Sequence, residues 1–160
     1  MLVYHGSTLE ILNPDILHSK RFVDFGIGFY VTSFAIQAEK WAYRKAMRKS
    51  LPAIVNVYEF NNYENFNIKK FDRMDEDWLN FVCDCRNGSE TYKAYDAVIG
   101  NIADDDVFKC VNMYIDGIWD ISRTLQELKY YKKNDQIALL TQKIIDETLS
   151  FVNSYKVTSL

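Results

Sequence analysis

The chain has 160 residues, 48% hydrophobic and 15% aromatic, which is enough for one domain with a dry core and too few for two comfortable ones. That composition excludes global disorder, and a formal net charge of −3 excludes the basic balance of a protein that grips long nucleic acids by neutralising phosphates. The odd set of three cysteines (Cys83, Cys85, Cys110), the lack of an opening secretion signal and the absence of any membrane-length apolar run lead us to expect reduced thiols in a cytoplasmic protein.

In chain order, Val3-Tyr4 is a short apolar segment that stops at His5-Gly6-Ser7. Asn13-Pro14-Asp15 is a turn by composition. The run Asp24-Phe25-Gly26-Ile27-Gly28-Phe29-Tyr30-Val31-Thr32 predicts a tight loop feeding a short strand. Thr32 or Ser33 is then expected to cap a helix over 34–49, with Ala35, Ala38, Trp41, Ala42 and Ala46 along one face and Arg44, Lys45, Arg48 and Lys49 in its last turns. Residues 53–60 read as a buried strand and 72–85 as a helix with Trp78, Leu79, Phe81, Val82 and Cys85 inward. A strand at 95–99 precedes helices at 106–116 and 118–131, the second striped by Ile118, Ile121, Leu125 and Leu128, with Gly117 as the break. A strand at 136–140, a short helix at 142–149 and a strand at 151–157 complete one α+β domain over 1–160, without repeats. Cys83-x-Cys85 lacks the second ligand pair a zinc site needs, so small buried side chains account for the cysteines better than a metal does.

Three features gain meaning from their order: Tyr4-His5-Gly6-Ser7 first, then Gly28-Phe29-Tyr30-Val31-Thr32-Ser33, then a helix carrying Ala38 and Trp41. Together they resemble the NAD-binding core of ADP-ribosyltransferases, in the branch with a His, a Tyr and a third polar residue to which the diphtheria-toxin and poly(ADP-ribose) polymerase groups belong. Over nearly its full length the chain also resembles a family of small bacterial proteins related to that fold, through Val98-Ile99-Gly100-Asn101-Ile102-Ala103-Asp104-Asp105 and Asp135-Gln136-Ile137. The resemblance implies a split β-sheet core with flanking helices and NAD as substrate. It implies that His5 bonds a ribose hydroxyl of the adenosine half, that the Gly6 backbone grips the nicotinamide amide, and that Tyr30 and Trp41 lie against the nicotinamide ring. Ser7 and Gly28 fall within the same binding blocks. Such a device suits the chemistry, because cleaving the nicotinamide–ribose bond passes through an oxocarbenium-like state that needs a fixed leaving ring and nearby negative potential. Gly26-x-Gly28 on its own is no dinucleotide fingerprint, since it lacks the third glycine and the βαβ setting.

The chain departs from that pattern at the third polar position. Many relatives place a Glu there, whereas the matching strand start offers Gln136, preceded by Asp135. A Gln accepts a hydroxyl proton through its carbonyl but carries no charge, a loss on the order of a few kcal/mol of transition-state stabilisation. Chain building is therefore not expected, and single ADP-ribose transfer is. Ala38 stands where a Ser often contacts the amide. Asp104, Asp105 and Asp106 offer either the missing negative charge or an acidic helix start, the latter taking the larger share, and Asp24 is a further candidate. Arg21 is a candidate phosphate contact, while Arg44, Lys45, Arg48 and Lys49 fit a solvated helix end better than a nucleic-acid or diphosphate site. Ser7 with His5 lacks the nucleophile elbow of a hydrolase.

Three functions follow as expectations. The first is a mono-ADP-ribosyltransferase acting on a macromolecular acceptor, protein or nucleic acid, with a toxin role and an antitoxin partner as what the resemblance implies. The second is a non-catalytic NAD- or ADP-ribose-binding module. The third is an NAD glycohydrolase using the same cleft.

Overall fold

The computed structural model describes residues 1–19, 23–103, 105–131 and 134–158, with only the backbone of 105 and 106. Arg21, Asp104, Lys132 and Lys133 lie outside the described residues, as do the side chains of Asp105 and Asp106.

Two sheets form the centre. The first has the order β1 (Leu2–Ser7), β3 (Ile54–Phe60), β7 (Leu149–Lys156), all antiparallel. The second runs β2 (Phe29–Val31), β6 (Gln136–Leu139), β5 (Ala97–Gly100), β4 (Ile68–Lys70), antiparallel except for the parallel β4–β5 edge. Around them pack α1 (Ala35–Lys49), α2 (Glu76–Arg86), α3 (Asp105–Ile115), α4 (Ile121–Leu128) and α5 (Gln142–Thr148). The fold is thus α+β, built from five helices and two sheets among the described residues.

Strand alternation sorts the core into layers. On β6, Ile137 and Leu139 join Val3, Phe29, Tyr58 and Phe60 between the sheets, while Ala138 and Leu140 face Trp78, Leu79, Val82 and Val98 beneath α2 and α3. A third, smaller cluster seats Ala38, Ala42 and Ala46 of α1 on Ala53 and Val55. Alanines at that face let the helix backbone come down onto the sheet. The sheets themselves meet at a bridge between Tyr4 and Thr32, with Tyr4 N to Thr32 O at 2.8 Å and the reverse bond at 2.9 Å.

Several boundaries differ from expectation. Trp41 is not on the buried face of α1 but is 46% exposed, because the face is set by the 38-42-46 spacing alone. Neither Thr32 nor Ser33 caps α1. Phe34 occupies the cap position without a side-chain bond, and both hydroxyls donate to the carboxylate of Asp135 at 2.6 Å. That carboxylate also accepts Ser33 N at 3.0 Å, so Asp135 places an anion at the positive end of α1. The helix expected from 118 starts only at Ile121, after the Asp120 cap, leaving Ile118 exposed. The helix expected from 72 starts at Glu76, where Asp75 accepts Trp78 N, and residues 91–94 form a 3₁₀ turn not read from sequence.

Candidate functional site

Tyr4–Thr32 pairing carries the end of β1 alongside β2, and alternation then turns His5 and Gly6 to opposite faces. His5 turns toward the sheet–sheet core and stacks on Phe29, ring centroids 4.5 Å apart. Its Nδ1 lies 2.6 Å from the Tyr30 carbonyl oxygen. A carbonyl only accepts, so Nδ1 carries the hydrogen. Burial, and secondly the charge of Lys45, lower the imidazole pKa to about 4, so the ring is neutral at pH 7 and Nε2 is a bare acceptor.

Gly6 faces the other way, against the backbone of α1. Its carbonyl accepts a hydrogen bond from Lys45 Nζ at 3.0 Å. The same ammonium lies 5.6 Å from the centre of the Trp41 ring. Lys45 is therefore held against the end of β1 and is not a solvated helix-end cation. Trp41, one turn earlier on α1, presents an exposed aromatic surface beside the end of β1. Ser7 is buried, and its Oγ accepts Leu9 N at 3.4 Å.

Tyr30 is half-buried. Its hydroxyl donates to Gly26 O at 2.6 Å and accepts from Phe25 N at 3.2 Å, tying the glycine loop shut. Burial, and then the neighbouring charge of Asp24, raise that hydroxyl well above the ordinary tyrosine range, so it works as a donor and not as a base. Gly26 adopts φ +87°, a left-handed turn under the Tyr92 ring. Gly28 packs on the Leu139 backbone, and its amide donates to Ser19 Oγ at 2.9 Å.

Gln136 opens β6 opposite Gly100 and is almost fully buried. Its Nε2 donates to Asp24 Oδ2 at 3.2 Å. Asp24 accepts three further bonds: Ala103 N at 3.0 Å, and Arg86 Nε and Nη2 at 2.9 and 2.6 Å. The Asp24–Arg86 pair is buried, with side-chain exposures of 11% and 9%. Arg86 Nη1 finds no partner among the described residues, and its guanidinium lies 4.4 Å from the Phe108 ring centre. Sequence reasoning named Asp24 but not Arg86, because nothing in the pattern around Arg86 marks it as buried. From sequence Lys45 reads as part of a solvated helix end, although its i+4 spacing from Trp41 distinguishes it.

His5 meets Tyr30 through that residue's backbone carbonyl, the Tyr30 hydroxyl bonds the glycine loop, Gln136 bonds Asp24, and Gly6 faces α1. Two shallow hollows lie elsewhere: one of about 380 Å³ between the 12–15 turn and α5, the other of about 350 Å³ at the start of α2. Neither is lined by a candidate residue. All three cysteines are buried and free, and burial pushes Cys83 and Cys85 up to about 11 and 12, which leaves them inert as nucleophiles at neutral pH. No cluster of three or more metal-binding side chains occurs among the described residues, and no helix among them is long and apolar enough to cross a membrane.

The fold is that of an α+β protein whose two sheets are joined at the Tyr4–Thr32 bridge. The chain belongs to the family described as Protein of unknown function (DUF3990), whose model matches residues 1–151. No curated protein and no solved structure matches it.

Proposed function

We propose that this chain is an NAD-dependent mono-ADP-ribosyltransferase with an ADP-ribosyltransferase-like split-sheet core, modifying a macromolecular acceptor in a toxin role restrained by an antitoxin protein. The observation that carries the reading is the state of His5: a neutral ring, its Nδ1 hydrogen committed to the Tyr30 carbonyl, and Nε2 left as an acceptor for a ribose hydroxyl. The exposed Trp41 ring beside Gly6 supports a flat aromatic ligand there. Lys45 adds the positive charge that a dinucleotide diphosphate favours. Gln136, reached through its carbonyl oxygen, supports a contact to the nicotinamide ribose.

A second reading, a module that binds NAD or ADP-ribose without turnover, is favoured by one feature. The carboxylate that Gln136 bonds is that of Asp24, and Arg86 neutralises it. Little negative potential then remains to stabilise an oxocarbenium ion.

Nicotinamide release from NAD by the purified chain, beside His5→Gln and Gln136→Ala, separates the readings. Release abolished by both substitutions, with labelled ADP-ribose appearing on a macromolecule in lysate, supports the transferase. Release without any labelled macromolecule points to a glycohydrolase. Saturable NAD binding with no release identifies the module, and no NAD binding at all sinks both proposed readings.

A further inference from the structure

A glutamine amide has two ends of nearly equal shape and opposite hydrogen-bonding character, and a half-turn about its last bond exchanges them at little steric cost. Whatever stands beside it decides which end faces a ligand. Gln136 is fixed at its backbone by pairing with Gly100, so this rotation is the freedom left to its terminal group.

We infer that Asp24 is a positioning residue that sets the amide of Gln136, turning Oε1 outward as the acceptor for a ribose hydroxyl of NAD. The inference rests on the function proposed above. A carboxylate offers no hydrogen, so only the NH₂ end of Gln136 can face it, as the 3.2 Å contact from Nε2 to Asp24 Oδ2 shows. The carboxylate is itself held on several sides: by Arg86 through Nε and Nη2, and by the Ala103 amide. It therefore cannot swing to accommodate a flipped amide. Gln136 Oε1 accepts no hydrogen bond among the described residues, and it is not among the fully buried atoms left without a partner. The one acceptor of the pair that the protein does not use is thus the one this arrangement turns away from Asp24. Because Asp24, Arg86 and Ala103 come from the glycine loop, α2 and the segment after β5, three separate stretches agree on one orientation.

The arrangement makes an unusual statement about residue 136. A glutamate there, ordinarily the better group for this chemistry, would set one carboxylate against another. Gln136→Glu is therefore expected to lose at least about tenfold in kcat/KM for nicotinamide release, the scale of a lost bond to a charged group. Asp24→Asn is expected to lose a similar factor, because its amide can donate toward residue 136 and draw Oε1 inward. Combining the two places an Asn donor against a Glu acceptor, and the double variant is expected to recover most of the loss. Because the new carboxylate at 136 also returns a charge beside Arg86, the recovery counts for positioning only where the unfolding temperatures of the singles stay at the parent's value.

The experiment measures NAD binding and nicotinamide release for the parent and the three variants, with thermal unfolding as the control for folding. Two single losses and a recovered double support the inference. Gln136→Glu matching or exceeding the parent overturns it, and that arm stands even if Asp24→Asn fails to fold. Two losses that simply multiply in the double overturn it as well. A parent chain that neither binds nor cleaves NAD overturns the function first, and the role of Asp24 falls with it.

Discussion

A β-carbon added to Gly6 would stand 2.2 Å from the carbonyl oxygen of Ala38, and 2.8 Å from the amide nitrogen of Ala42. The end of β1 and the middle of α1 are therefore in backbone contact, with no side chain between them that can yield. Gly6→Ala is expected to destabilise the fold by about 3 kcal/mol, at the upper end of ordinary overpacking. Urea unfolding of parent and variant checks this. A loss below about 1 kcal/mol would mean that the helix is not seated so closely.

His5 makes stability depend on pH. Its folded pKa, about 4, lies below the ordinary histidine value of 6.5, so between those values the unfolded chain binds more protons than the folded one. The contribution is complete above pH 6.5, falls as pH drops, and is fully lost below about 4. Its size is about 1–3 kcal/mol, the lower figure allowing for the ring's residual exposure. Unfolding curves at pH 7 and 4.5 should show this fall in the parent, and His5→Gln should lack that part of it.

Arg86 carries a different weight. Truncating it to Met leaves the buried carboxylate of Asp24 with two hydrogen bonds and no opposing charge. A loss of about 3–5 kcal/mol is expected, as for other buried pairs broken on one side. Denaturant midpoints compared with those of an exposed pair, Arg73→Met beside Asp75, check it, since the exposed pair should cost under about 1 kcal/mol.

Trp41 separates binding from stability. Because nearly half of its surface is exposed, Trp41→Ala should change the unfolding free energy by less than about 1 kcal/mol. If the ring stacks on nicotinamide, the same change should weaken NAD binding by about tenfold. Fluorescence titration offers the readout, since Trp78 is fully buried and Trp41 is the most exposed of the three tryptophans. Unchanged affinity would remove Trp41 from the site.

What the sequence reveals here depends on how local the cause is. Helices α1 and α2 and strands β3, β5 and β6 follow from periodic apolar spacing within a few residues, and each appears near its expected place. The edge strand β4 escapes such reading because Ile68-Lys69-Lys70 is three residues long and mostly charged, as suits an edge that must not recruit further strands. Of the candidate site, the His5-Gly6-Ser7 and Tyr30 blocks are local and stand out. The use of Asp24 is not local: its partners Arg86 and Gln136 lie 62 and 112 positions away, and no spacing rule spans such gaps. The glycines illustrate a related limit. Gly6 invites a ligand-contact reading from sequence, and the seating of α1 adds a packing requirement for glycine that the sequence does not show.

The strand order sets a timetable for biosynthesis. Strand β6 lies between β2 and β5, and β7 covers the outer edge of β3, so neither sheet can close before residues 136–156 have left the ribosome. Until then β2, β3 and β5 wait without some of their neighbours, and Gln136 has not joined Asp24. The delay is built into the topology: a nascent or truncated chain holds the early residues of the candidate site without the strand that completes it.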